Sequence, residues 1–208
     1  MKKNAIVILF PEENYLGTRR GCIPLFNKCI QERYLNQGFD LVVVRYKGYR
    51  GEYTGGIINI PVNKIIDADI TSMEQLERYA DFASVAKEIG TEGYGKIVVG
   101  GFHCFDCVAK LAKEIYKSNK NVIIDTDLTE QFDFVSKYYK NWEISRFKPE
   151  LKIEDARRSF GHDSIDLFEK IVDRYKHPVW GISQEYIETS KQDLRLNFLE
   201  QNKNENIK

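Results

Sequence analysis

AIVILFPEENYLGTRRGCIPLFNKCIQERYLNQGFDLVVVRY, residues 5–46, decides the fold class. Residues 5–10, AIVILF, are an unbroken apolar run, as a strand covered on both faces requires. Pro11 stops it, and the polar stretch from Glu12, punctuated by Gly17 and Gly21, reads as a loop. Leu25, Phe26, Cys29, Ile30 and Tyr34 recur at helical spacing, which predicts a helix over about 23–35 with Pro24 tolerated in its first turn. FDLVVVRY, 39–46, is a second buried strand. Strand, helix and strand within 46 residues is the rhythm of a parallel sheet.

Outward from there the pattern continues. Residues 47–56 carry four glycines, a loop at the carboxyl end of the second strand, where open α/β sheets bind ligands. A short strand is expected near 56–62, with Lys64, Asp67 and Asp69 in the loop after it. Thr71 or Ser72 is the expected cap of a helix reaching Gly90. KIVVGG, 96–101, predicts a strand. A helix follows from about Cys104 to Tyr116 with Val108, Leu111, Ala112 and Ile115 as its core stripe, and NVIID, 121–125, predicts another strand. Residues 128–142 and 163–175 read as helices, HPVWGIS as a short strand, and 186–200 as a helix. The expected architecture is one three-layer α/β/α domain over 1–200, Rossmann-like in general plan, with a mainly parallel sheet of five or six strands. QNKNENIK, 201–208, reads as a polar flexible tail.

Composition narrows the function. The chain has 208 residues, with 31 Lys plus Arg against 31 Asp plus Glu. Zero net charge argues against nucleic-acid binding driven by counterion release. No apolar run approaches a membrane span. AIVILF is too short for a secretion-signal core, and four cysteines are too few for a disulfide scaffold, so a cytoplasmic protein with free thiols is expected. No Walker loop, GxGxxG, GxSxG or HExxH motif occurs, and no cofactor is expected.

The densest chemistry is VVGGFHCFDCV, 98–108. Glycines end a strand, and His103, Cys104, Asp106 and Cys107 fall where the next helix begins. A cysteine near a helix N-terminus feels unsatisfied backbone N–H groups and the positive end of the dipole, which favour the thiolate. The same amides can serve as an oxyanion hole. A buried, inert cysteine satisfies this pattern equally. The Cys-x-x-Cys spacing also permits a redox pair or half of a zinc site, but two further zinc ligands are not apparent, so no metal is assigned. Asp125 and Asp127, ending a strand, could join Asp67 and Asp69 around a divalent cation; their ordinary role is to cap turns.

Gly101 followed by FHCFDCV, the helix and strand after it, IPLFNKCI and LVVVRY together resemble the isochorismatase-like cysteine hydrolases over residues 4–127. The resemblance implies an isochorismatase-like fold, a small amide-like substrate, a homo-oligomer, and Cys107 as nucleophile. It implies that Lys64 stabilises the thiolate. The family's strand-ending Asp-x-Gln is not present: Phe10-Pro11-Glu12-Glu13-Asn14 stands there, so Glu12 or Glu13 would have to supply the carboxylate. Arg45, Tyr46, Tyr53 and His103 are the candidate substrate-binding residues. The rival reading is a non-catalytic α/β protein, a relative that has lost activity, binding a small ligand or a partner chain.

Overall fold

The computed structural model describes residues 2–12, 23–46, 56–74, 77–102, 104–130, 169, 172–173 and 175–205. The chain divides into two compact units, Met1–Phe147 and Lys148–Lys208.

The first unit is built on a five-stranded sheet. Its strands are β1 (Ala5–Leu9), β2 (Asp40–Tyr46), β3 (Lys64–Ala68), β6 (Ile97–Phe102) and β7 (Val122–Glu130). They lie in the order β3-β2-β1-β6-β7, all parallel. Helix α1 (Ile23–Arg33) connects β1 to β2, and α3 (Ala109–Ser118) connects β6 to β7. These crossovers run in opposite directions along the sheet. Right-handed connections therefore place α1 on one face and α3 on the other, giving the α/β/α layering expected from sequence. Ile6, Ile8, Leu41, Val43 and Val98 pack with Phe26, Cys29 and Ile30 of α1 in one core. Their strand neighbours Val7, Leu9, Val42, Val44 and Val99 are equally buried, as a sheet covered on both faces demands. The whole expected stripe is buried: Leu111, Ala112 and Ile115 in α3, and Val108 just before it.

Three expectations are corrected. The strand placed near 56–62 is β3, at 64–68, so Lys64 opens a strand rather than lying in a loop. An antiparallel pair, β4 (Ile70–Glu74) with β5 (Glu77–Ala80), stands where a helix was expected. The helix begins only at Phe82 as α2 (Phe82–Ile89). Its cap is Asp81, whose carboxylate accepts from the amides of Ala83 and Ser84, both at 3.1 Å. Thr71 and Ser72 carry cap chemistry too, but strand pairing overrides it there. HPVWGIS contains a short turn of helix, Pro178–Trp180, where a strand was expected.

The second unit holds that turn and α4 (Gln184–Glu205). Tyr175 and Trp180 meet edge to face at 4.9 Å. The Ser183 hydroxyl accepts from the Tyr186 amide at 3.2 Å and caps α4, which runs through Glu205 into the stretch read as a tail. The helices expected over 128–142 and 163–175 fall almost wholly outside the described residues, although 128–130 belong to β7. Among the described residues no helix is long and apolar enough to cross a membrane.

Candidate active site at the carboxyl ends of β1, β2 and β6

The strand order reverses its direction of travel between β1 and β6. Open α/β sheets form their ligand crevice at such a switch point, beyond the carboxyl ends of the strands. Phe10 and Glu12 leave β1 there, Tyr46 ends β2 there, and the chain leaving β6 reaches Cys107 there.

The exit of β6 is tightly specified. Gly101 has φ +114°, and a Cβ on it would stand 2.2 Å from the Leu9 carbonyl oxygen. Only glycine accepts both that conformation and that approach. Beyond Phe102, residues Cys104–Val108 form a π-helical turn that leads into α3. π-turns of this kind recur at functional sites. Cys107 is 4% exposed. Its Sγ lies 3.8 Å from Asp106 Oδ2 and 3.9 Å from Tyr46 Oη. Asp106 in turn pairs through Oδ1 with Lys110 Nζ at 2.6 Å.

The exit of β1 is strained. Phe10 has φ +48°, a conformation costly for a bulky residue and disfavoured further by the following proline. The Phe10 ring stacks on Tyr46 with centroids 3.7 Å apart and planes 10° from parallel. Its amide donates to the Val44 carbonyl at 2.6 Å, and its carbonyl accepts from the Glu12 amide at 2.7 Å. Glu12 is buried and forms an antiparallel bridge with Gly56. The apolar Phe10 ring thus occupies the strand end where the resemblance looks for an aspartate.

The remaining candidates are placed as follows. Arg45 is committed across the strands to Asp67, with Nη2 3.1 Å from Oδ2 and a second contact from Nε to Oδ1. Lys64 donates to the Glu88 carbonyl near the end of α2. It pairs with Val42, whereas Ala68 stands level with Tyr46; at roughly 3.3 Å per residue, Lys64 lies about 13 Å toward the amino ends of the strands. The structure therefore brings Tyr46 to Cys107 and directs Arg45 and Lys64 to other partners. Glu13, Tyr53 and His103 lie outside the described residues.

Asp125 and Asp127 engage a cation of the chain itself. Opposite Val99–Gly101, β7 runs from Ile124 to Thr129, a bulge that spans two residue steps of β6 with five of its own. The bulge carries Asp125 to Arg33 Nη1 at 2.9 Å and Asp127 to Arg33 Nη2 at 2.8 Å. Tyr34 Oη donates to Asp125 Oδ2 at 2.6 Å. Beside them, burial pushes the Cys29 thiol up to about 12, against the opposing pull of Arg33. Among the described residues no group of three or more His, Cys, Asp or Glu side chains could hold a metal ion.

Sequence reading passed over the Asp106–Lys110 pair. Its i, i+4 spacing across the start of α3 was the available signal. Arg33 gave no local signal, because its partners lie more than ninety residues away.

No protein-family model matches the chain, and no curated protein does. Among solved structures, pyrazinamidase of Pyrococcus horikoshii, in complex with zinc, aligns with 83% of this chain and 96% of that one, at 15% identity and a TM-score of 0.43. A Leishmania major protein that carries the name MAR1 ribonuclease aligns with 85% and 92% at 16% identity and 0.46. A hypothetical protein from Trypanosoma cruzi aligns with 62% and 66% at 15% identity and 0.44. At these TM-scores the likeness assigns neither family nor activity, and the chemistry rests on the chain's own residues.

Proposed function

We propose that the chain is a cysteine-dependent hydrolase of small amide-like or activated acyl compounds, with Cys107 as nucleophile. The observation that carries this reading is the position of Cys107: at the switch point of the sheet, in the π-helical turn after β6, with Sγ 3.9 Å from Tyr46 Oη and 3.8 Å from the Asp106 carboxylate. Sγ attacks the acyl carbon, and the C=O electrons move onto oxygen. Backbone amides at the start of α3 receive that oxyanion, and Tyr46 Oη is placed to add a donor. Collapse expels the amine or alcohol, and water releases the acid from the thioester. Tyr46, with Phe10 stacked against it, is the side chain beside Cys107 that a substrate would meet.

The second reading, a binding protein in which Cys107 is inert, draws on the burial of Cys107 and on the engagement of Lys64 and Arg45 elsewhere. Both readings are tested by incubating wild type and Cys107→Ala with para-nitrophenyl acetate and with small amides, then mapping acyl adducts by mass spectrometry. Cysteine catalysis requires an adduct on Cys107 and turnover that Cys107→Ala abolishes. No adduct and no turnover at any concentration favours the binding protein, and turnover unchanged in Cys107→Ala removes Cys107 as the nucleophile.

A further inference from the structure

We infer that Asp106 is the group that exchanges protons with Cys107, and that Lys110 is its positioning residue. The inference rests on Cys107 being the nucleophile and reassigns the base, which the resemblance would place at Glu12 or Glu13.

The geometry is local. Asp106 Oδ2 stands 3.8 Å from Sγ, while Oδ1 is fixed by Lys110 Nζ at 2.6 Å. One carboxylate oxygen is thus anchored to a cation one helical turn away, and the other is left beside the thiol. Lys110 is half-exposed and Asp106 partly so. The pair therefore lies on the solvent side of a buried sulfur, where a proton can return to water. Lys64, the lysine expected to serve the thiol, instead holds the α2 carbonyl of Glu88. At 3.8 Å the carboxylate oxygen stands within hydrogen-bonding range of a thiol, whose large sulfur lengthens the contact.

The step balances without another reactant. As Sγ attacks the acyl carbon, the S–H bond breaks and the proton forms an O–H bond on Asp106 Oδ2. When the tetrahedral adduct collapses, that proton passes to the leaving nitrogen or oxygen. Asp106 then takes a proton from the attacking water, and returns it to sulfur as the thioester is released.

An ion-pairing role and a proton-exchanging role have opposite signatures. Removing the Asp106 charge eases ionisation of the neighbouring thiol, because a like charge no longer opposes the thiolate. It also removes the base. Asp106→Asn should therefore lower the pH midpoint for iodoacetamide alkylation of Cys107, yet slow its acylation by para-nitrophenyl acetate on the order of 100-fold. Lys110→Met should raise the alkylation midpoint and slow acylation, and Lys110→Arg should restore both. Lys110 is exposed enough that its variants test the idea even if Asp106→Asn folds poorly. Acylation within about threefold of wild type in both Asp106→Asn and Lys110→Met would overturn the assignment. Acylation that persists in Cys107→Ala would instead remove the nucleophile on which it rests, so the two failures are separable.

Discussion

The Leu9 carbonyl oxygen lies 2.2 Å from the point where a Cβ on Gly101 would stand. This contact joins the exits of the two strands that flank the switch point, and it sets where the Cys107 turn begins. Gly101→Ala combines a strained positive φ with a collision against backbone that cannot rotate away. It should cost at least about 3 kcal/mol, read as a fall in the urea midpoint. A loss under about 0.5 kcal/mol would mean that β6 can leave the sheet by another path.

Arg33 should hold the β7 bulge. It is 19% exposed, and Asp125 is 3% exposed. Arg33→Ala leaves two carboxylates facing each other in a largely buried place, at a cost of about 3 kcal/mol. Adding Asp125→Asn to that variant should recover part of the loss, because one stranded charge is removed. A double variant less stable than Arg33→Ala would show that the charge is not what the arginine answers.

Asn27 ties α1 to the segment after the glycine-rich loop. Its Nδ2 donates to the Ile57 carbonyl at 2.7 Å, and its Oδ1 accepts from the Asn59 amide at 2.9 Å. Ile57 also donates to the Pro11 carbonyl at 2.8 Å, beside Glu12. Asn27→Ala should cost about 2 kcal/mol, since it leaves buried backbone groups unmatched. Hydrogen exchange at the Ile57 and Asn59 amides should rise in step. Unchanged exchange there would place the anchor elsewhere.

Cys29 should make stability fall at alkaline pH. Its thiol is raised to about 12 by burial, with Arg33, Asp125 and Asp127 facing it; in the unfolded chain a thiol titrates near 8.5. The folded state holds the proton more tightly. Its contribution is therefore complete below about pH 8.5 and is lost as pH rises toward about 12, by at most about 1.4 kcal/mol per pH unit. Cys29→Ala should show a shallower decline in urea midpoint across that window. An identical decline would assign it to other groups, Tyr34 first, whose hydroxyl is also raised by burial beside Asp125.

How far sequence reading reached follows from the range of each signal. β1, β2 and β6 were legible because a strand buried on both faces is a continuous apolar run. The stripes of α1 and α3 were legible because helix periodicity is local. The β4–β5 pair was not: Thr71 to Leu76 carries the cap and propensity of a helix, and the antiparallel pairing of two adjacent short strands overrides both. Cys107 was singled out by the resemblance, through its step from Gly101. Its neighbours were split between the near and the far. Asp106 and Lys110 sit within one turn of it, whereas the Phe10–Tyr46 stack and the Arg33–Asp125 pair depend on strand order, which no local pattern states.

The most direct test is the reaction of Cys107 in the native protein with iodoacetamide at neutral pH, compared site by site with Cys29 and with the unfolded chain. An activated nucleophile should react in the folded state at least as fast as when unfolded, while Cys29, on the buried face of α1, stays protected. Modification of Cys107 only on unfolding, in parallel with Cys29, would contradict the account and leave a binding protein with a buried, inert thiol.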